Sequence, residues 1–311
     1  MNALALAPGM LGALAGVYGV LVIATLALFG LRRYQPDKDH TELVQRTRSW
    51  WVMITIFTLA MLLSRTISIV FFAILSFLAL KEYLSIIPTR RADRRVLFWA
   101  YLAIPFQYLW VAQGWYGMFI IFVPVYLFLL LPLRMVMIGE THHFLRAVGT
   151  LHWGVMMTVF SISHVAYLLV LPGEGAGSGA ALVLYLVILT EFNDVAQFTW
   201  GKLFGAHRVT PTVSPNKTWE GLIGGVATTT VLAVLLAPLL TPLTWPMAVA
   251  AGLLIGSGGF IGDITLSAVK RDVGIKDSSG LIPGHGGLLD RIDSLIYTAP
   301  LFFHFVRYFY Y

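Results

Sequence analysis

The sequence predicts an all-α fold, a polytopic integral membrane protein of about nine or ten transmembrane helices. Three observations carry this. Hydrophobic residues make up 58% of the chain, charged residues only 12%, and the mean hydropathy is +0.80. A soluble domain typically carries about 25% charged residues. The apolar residues also come in long runs, such as Met10–Leu31 and Trp115–Leu133. About 20 apolar residues in a row are what an α-helix needs to cross hydrocarbon. Finally, Lys and Arg alternate between successive connections, as they do in membrane proteins.

The first segment, 9–31, has no Lys or Arg before it and is followed by Arg32 and Arg33. That pattern predicts a retained span with its N-terminus outside, not a cleaved signal peptide. Segments 49–63 and 66–84 form one apolar stretch divided by Ser64 and Arg65. Segments 96–112 and 115–133 are parted by Gln113-Gly114. Segments 149–171 and 180–201 flank GEGAGSG (Gly173–Gly179), a flexible outer connector. Segments 221–240, 246–267 and 287–309 complete the series.

The connections 32–48 (Arg32, Arg33, Lys38, Arg46, Arg48) and 85–95 (Arg90, Arg91, Arg94, Arg95) are basic. So are 134–148 (Arg134, Arg146), 202–220 (Lys202, Arg208, Lys217) and 268–286 (Lys270, Arg271, Lys276). Those near 113–114, 172–179 and 241–245 have no Lys or Arg, and Arg65 breaks the pattern. The bias puts the basic loops in the cytoplasm and both termini outside. The net charge of +6 therefore reads first as topology and second as attraction to anionic lipid or nucleotide. The chain has no cysteine, which excludes disulfides, thiol catalysis and thiolate metal ligands. The first six segments hold few internal charges and the last four hold nearly all of them. This divides the chain into a membrane scaffold, 1–150, and a functional membrane domain, 151–311, with cytoplasmic loops 202–220 and 268–286.

Segment 180–201 ends in LTEFNDVAQFTWGKLFG, which places Glu191, Asn193 and Asp194 inside an apolar span near its cytoplasmic end. A charge at mid-membrane costs about 2.5–3.5 kcal/mol or more, so it faces a partner or a water-filled cavity. Glu191 and Asp194 share a helix face at i, i+3; a polar pair that only locks helix packing is the simpler alternative. Segment 246–267 ends in GSGGFIGDITLSAVKR. Asp263 stands one turn before Ser267, and Gly256, Gly258, Gly259 and Gly262 leave room for close backbone approach. Segment 287–309 begins GGLLDRIDSLIYTAP, with Asp290 and Asp293 again at i, i+3. A helix dipole accounts for one such carboxylate. It does not account for Asp263 and Asp290 reaching one membrane boundary from consecutive segments.

Oxygen ligands at that boundary suit Mg²⁺, which takes one or two protein carboxylates and fills its shell with water and substrate phosphate. Lys270, Arg271 and Lys276 beside them would cancel polyphosphate charge. His285-Gly286-Gly287 lets backbone amides approach a phosphate. SPNKTWEG (Ser214–Gly221) sets Ser214, Lys217 and Thr218 before another helix start, although Thr218 also reads as a plain N-cap and Glu220 as a dipole partner. His142-His143 reads as an interfacial pair without catalytic meaning.

Ser267-Ala-Val-Lys270-Arg271, then Lys276-Asp277, then IPGHGGLLDRID (Ile282–Asp293) resemble the signature of the phosphatidate cytidylyltransferases, or CDP-diacylglycerol synthases. SPNKTWEG and NDVAQFTWGKLFG (Asn193–Gly205) resemble two further blocks of that family. The similarity covers roughly 190–295, and residues 1–150 contribute hydropathy alone. The resemblance implies a multi-pass enzyme of the bacterial inner (cytoplasmic) membrane, with its site facing the cytoplasm. It would transfer CMP from CTP to phosphatidic acid, giving CDP-diacylglycerol and pyrophosphate. It implies Asp263 and Asp290 as ligands of Mg²⁺, with K⁺ allowed beside it. The implied catalytic set is Asp263, Lys270, Arg271, Asp290 and His285, the last as a phosphate donor in preference to a base. The implied nucleotide-binding set is Ser214, Lys217, Thr218, Lys276, Asp277, Gly286, Gly287, Asn193 and Asp194. The expected partners are CTP, phosphatidic acid and membrane lipid, without nucleic acid, and a homodimer is an assembly the reading allows. Two positions depart from the family pattern: many members have Lys at the position of Asn216 and an aromatic residue at that of Gln197.

Two other classes fit parts of the sequence. A transporter would use Glu191, Asp194 and Asp263 as a proton or cation path. Such residues usually lie near the midplane, often with inverted repeats; here they crowd one face and no repeat is visible. A CTP-dependent lipid kinase would use similar ions but transfer the γ-phosphoryl group.

Overall fold

A computed structural model describes residues 8–173 and 175–311. The extreme N-terminal tail and Glu174, within the GEGAGSG connector, lie outside the described residues. Ten helices follow one another: α1 (Pro8–Tyr34), α2 (Thr41–Leu63), α3 (Arg65–Ile86), α4 (Arg94–Ala112), α5 (Tyr116–Val136), α6 (Phe144–Leu168), α7 (Gly179–Phe204), α8 (Trp219–Leu240), α9 (Trp245–Asp272) and α10 (Leu289–Tyr310). They correspond one to one with the ten expected segments. Seven of them, all but α2, α4 and α10, are long and apolar enough to cross a membrane by length and composition alone. The other three, of 23, 19 and 22 residues, fall short of that apolar measure. The fold is all-α and polytopic, with one small exception. The loop expected at 202–220 contains an antiparallel hairpin, β1 (Arg208–Thr210) and β2 (Ser214–Thr218).

Local chemistry explains the element boundaries. Ser64 splits the 49–84 stretch because its hydroxyl accepts from the Ile67 amide at 3.2 Å and caps α3. Arg65, which breaks the charge pattern, donates Nε to the Leu169 carbonyl at 3.0 Å, just past the end of α6. A cation at a helix C-terminus is favourable there. Helix α2 begins at Thr41 instead of 49, because TELVQRTRS contains neither Pro nor Gly to stop it.

Helices α7 to α10 pack in sequence, α7 on α8, α8 on α9 and α9 on α10. Small residues make the close contacts. A Cβ at Gly252 would lie 2.6 Å from the Thr230 Cα, one at Gly256 would lie 3.0 Å from the Val226 Cα, and one at Gly262 would lie 3.1 Å from the Ser294 Cα. Without a hydrophobic drive between helices in lipid, such backbone approach supplies the van der Waals contact that holds them together. Helix α6 is wedged among α3, α4 and α10, and Ile162–Leu168 are buried throughout. By contrast α1 lies at the edge, with Val20, Ile23 and Phe29 about two-thirds exposed, as a lipid-facing helix should be.

Candidate active site

The charged side chains of the last four helices gather in two tiers where α9 and α10 meet. In the outer tier, the Lys270 ammonium, two turns beyond Asp263 on α9, donates to Asp290 Oδ1 at 2.7 Å. The other oxygen, Asp290 Oδ2, accepts three bonds: from the Ser278 amide at 2.8 Å, the Ser278 hydroxyl at 2.8 Å and the Gly287 amide at 3.0 Å. Asp290 lies in the first turn of α10, so the helix dipole adds to this. The carboxylate is only 7% exposed, yet every lone-pair direction but one or two is engaged.

The inner tier lies about one turn deeper, some 6 Å along α10. Asp263 Oδ2 pairs with the Lys217 ammonium at 2.5 Å, and each side chain is 21% exposed. Asp263 Oδ1 accepts from Ser267 at 3.3 Å. Asp194 of α7 accepts through both oxygens from Ser294, at 3.1 and 2.9 Å. Asp293 accepts the Ser294 amide at 2.8 Å. Lys217 thus faces Asp263, Asp194 and Asp293 together. Burial disfavours its charge, but these carboxylates outweigh burial and hold its pKa above the usual lysine value. Three carboxylates against one ammonium leave the tier short of positive charge.

The structure brings together Asp194, Lys217, Asp263, Lys270 and Asp290, with Gly287 supplying an amide. Arg271 is exposed and donates to the Val213 carbonyl at 3.3 Å and the Ile275 carbonyl at 3.2 Å, tying the β-hairpin to the α9–α10 loop. Gly286 has φ +80° and Gly284 φ +75°, both left-handed. They allow the tight turn closed by the Ile282 amide on the Gly286 carbonyl at 2.8 Å. A Cβ at Gly286 would lie 2.9 Å from Asp290 Oδ2. His285, in this turn, stands edge-on to Trp50 at 5.6 Å, and its buried Nδ1 has no partner among the described residues. Burial, with Arg291 and Arg46 adding to it, keeps the imidazole pKa below its usual value. The ring is neutral at pH 7 and offers one N–H.

Other expected site residues stand differently. Asn193 is fully buried, with Nδ2 on the Gly256 carbonyl and Oδ1 accepting from Thr229, both at 3.1 Å. It joins α7 to α8 and α9. Thr218 caps α8 through the Gly221 amide at 3.1 Å. Glu220 accepts from the amides of Ala206 and His207 and from the His207 ring. Lys276 and Asp277 are exposed on the loop, and Ser214 lies half-buried in β2 opposite Thr210.

Five participants were not among the expected site residues, Asp293 being one that the sequence marked only as the helix-turn neighbour of Asp290. Ser278 and Ser294 give no signal of their own in sequence. Gln197, noted only as a departure, accepts from Lys217 at 3.2 Å, and its buried Nε2 has no partner among the described residues. Glu82 of α3 reaches the outer tier from the scaffold half: it accepts from the Ser278 hydroxyl and, at 2.8 Å, from the Leu288 amide. Its signal was legible, since a lone carboxylate in the apolar run 66–84 demands a partner.

The fold and site together are those of a helical membrane bundle with lysine–carboxylate pairs gathered where α9 and α10 meet. Residues 44–309 match the model of the cytidylyltransferase family, and the chain belongs to that family; it is a nucleotidyltransferase. It is 46% identical over 295 residues to the uncharacterized protein YnbB of Escherichia coli K12, covering 95% of this chain and 97% of that one. It is 42% identical over 132 residues to a phosphatidate cytidylyltransferase of Haemophilus influenzae (41% of this chain, 46% of that one). It is 43% identical over 135 residues to one of Mycobacterium leprae (43% and 42%). The chain thus spans about half the length of the relatives that carry this name.

Proposed function

We propose that the protein transfers CMP from CTP to phosphatidic acid, at the cytoplasmic face of the bacterial inner membrane and with Mg²⁺. The observation that supports this best is the pair of lysine–carboxylate contacts, Lys217–Asp263 between β2 and α9 and Lys270–Asp290 between α9 and α10. A lipid phosphate oxygen attacks the α-phosphorus of CTP. One P–O bond forms to the lipid phosphate, the α–β bond breaks, and pyrophosphate leaves. A phosphate monoester has a second pKa of about 6, so it arrives as a competent nucleophile and no serine–histidine pair is needed. What the site must do is orient and neutralise. Lys217 and Lys270 are held by carboxylates and can turn to phosphate, while Arg271 and Lys276 lie exposed on the loop side.

The residues present fit a divalent ion. The donors are carboxylate and hydroxyl oxygens, and the inner tier has too little positive charge. Among the described residues no three His, Asp or Glu side chains are arranged to hold a metal ion by themselves, so water and substrate phosphate would have to complete the shell of such an ion. Asp263 and Asp290 would hold it. When bound, Mg²⁺ would neutralise charge on the phosphates as pyrophosphate departs. Val195, Phe198 and Ile261, close in sequence to Asp194 and Asp263, are exposed apolar residues, so the site borders lipid on one side. The basic loops border it on the other, as cytosolic CTP requires.

Purified protein in detergent with Mg²⁺, a panel of phospholipid acids and CTP labelled at the α- or γ-phosphate tests this. The α-label should enter the lipid. Entry of the γ-label instead would make the protein a lipid kinase. No label in any lipid, with ion flux in vesicles, would make it a transporter.

A further inference from the structure

We infer that Glu82 is a positioning residue of the transfer site: through Ser278 it sets the orientation of Asp290, and Gly287 is the residue that makes this reach possible. The inference rests on the reading of Asp290 as a site residue. Three observations support it independently.

The first is hydrogen-bond accounting. Glu82 and Asp290 are each 7% exposed, and Ser278 between them is 5% exposed. Ser278 has one hydroxyl hydrogen but faces a carboxylate oxygen on either side. While Glu82 competes for that hydrogen, Asp290 is not committed to it and keeps a lone pair free. Remove Glu82 and the hydroxyl turns wholly to Asp290. The second observation is the backbone. Glu82 Oε2 takes the Leu288 amide, while Asp290 Oδ2 takes the Gly287 and Ser278 amides. The two carboxylates therefore clamp the loop at both ends of the turn that leads into α10. The third is steric. A Cβ at residue 287 would run into the Glu82 carboxylate and the Ser278 hydroxyl. Gly287 is not in the left-handed region, so backbone conformation alone does not demand glycine there; the approach of Glu82 does.

The measurements are kcat, KM for CTP, and the Mg²⁺ concentration giving half-maximal thermal stabilisation in the presence of CTP, a readout that needs no turnover. Glu82→Ala and Ser278→Ala should each lower kcat about 10- to 100-fold, the usual range for residues that orient a ligand-bearing side chain. Both should raise the half-maximal Mg²⁺ concentration and change KM for CTP little. Glu82→Gln keeps the volume but one carboxylate acceptor fewer, so it should fall between Glu82→Ala and wild type. The double variant Glu82→Ala/Ser278→Ala should be no worse than the poorer single, because the two act as one unit. Variants folded as wild type with unchanged kcat and Mg²⁺ response would overturn the inference. So would additive losses, or losses that follow the melting temperature alone. If Glu82→Ala does not fold, Ser278→Ala and Glu82→Gln decide. A wild-type protein that transfers no CMP would instead sink the reading of the reaction, and the Mg²⁺ titration of the variants would still decide the role of Glu82.

Discussion

At the scale of single residues, the two lysine–carboxylate pairs differ in what they would lose on mutation. Removing one partner of a buried ion pair usually costs about 3–5 kcal/mol, because a bare charge is left behind. Asp290 would not be bare: the Ser278 and Gly287 amides still donate to Oδ2, and the Ser278 hydroxyl is shared between Oδ2 and Glu82. Lys270→Met should therefore cost only about 1–2 kcal/mol of stability, while kcat or KM for CTP suffers. A collapse of stability with intact kinetics would make Lys270 structural. Asp263→Ala and Asp290→Ala should each cut turnover about 100-fold or more in protein that still inserts and folds. Near-normal activity of either across Mg²⁺ concentrations would remove it from the metal site. Lys217 carries a pH prediction. Its pKa is raised in the fold, so its pairing contributes fully below the ordinary lysine value of about 10.4 and is lost only as pH rises through the higher folded value. The stabilisation of wild type over Lys217→Met should therefore persist as the pH is raised from 8 to 9. Its loss over that interval would mean that Lys217 gives up its charge below the ordinary lysine value.

At the scale of elements, the loop between α9 and α10 is the part most dependent on glycine, for two different reasons. Gly274 has φ +75° with open space around it, whereas Gly287 has an ordinary φ but a wall of oxygen atoms against it. Gly274→Ala meets only backbone strain of about 1–2 kcal/mol and should keep activity within a few-fold of wild type. Gly287→Ala must push Glu82 and Ser278 aside and should lose turnover about as Glu82→Ala does, by 10- to 100-fold. Equal effects from the two substitutions would show that strain, not the carboxylate clamp, governs the loop. The turn is also held from behind by α2, through Ser49 on the Pro283 carbonyl at 2.8 Å and Arg46 on the Gly284 carbonyl at 3.1 Å. That is a use for the helical extension 41–48, which hydropathy does not reveal.

At the scale of the whole molecule, the alternation of basic loops and the position of the two tiers make one topological prediction. A cysteine introduced at Ser279 into this cysteine-free chain should react with an impermeant thiol reagent only from the cytoplasmic side, and one at Ser178 only from outside. Labelling of the Ser279→Cys protein on intact cells would overturn both the topology and the placement of the site. Scaffold and site also prove interlocked, since α3 contributes Glu82 and α2 holds the turn.

The sequence determined the class of fold, because hydrocarbon leaves an apolar chain little choice but helices long enough to cross it. It also marked the segments where charged side chains gather, because charges among so few stand out. It marked Asp194, Asp263, Lys270 and Asp290 for the same reason. The tertiary structure decided the partners. That Lys217 faces Asp263, that Lys270 crosses to Asp290, and that Asn193 turns into the helix interface instead of the site are facts of helix rotation, which a run of apolar residues does not encode. Glu82 is the sharpest case: its 196-residue separation from Ser278 puts their contact beyond local pattern, and only the packing of α3 beside α10 closes it.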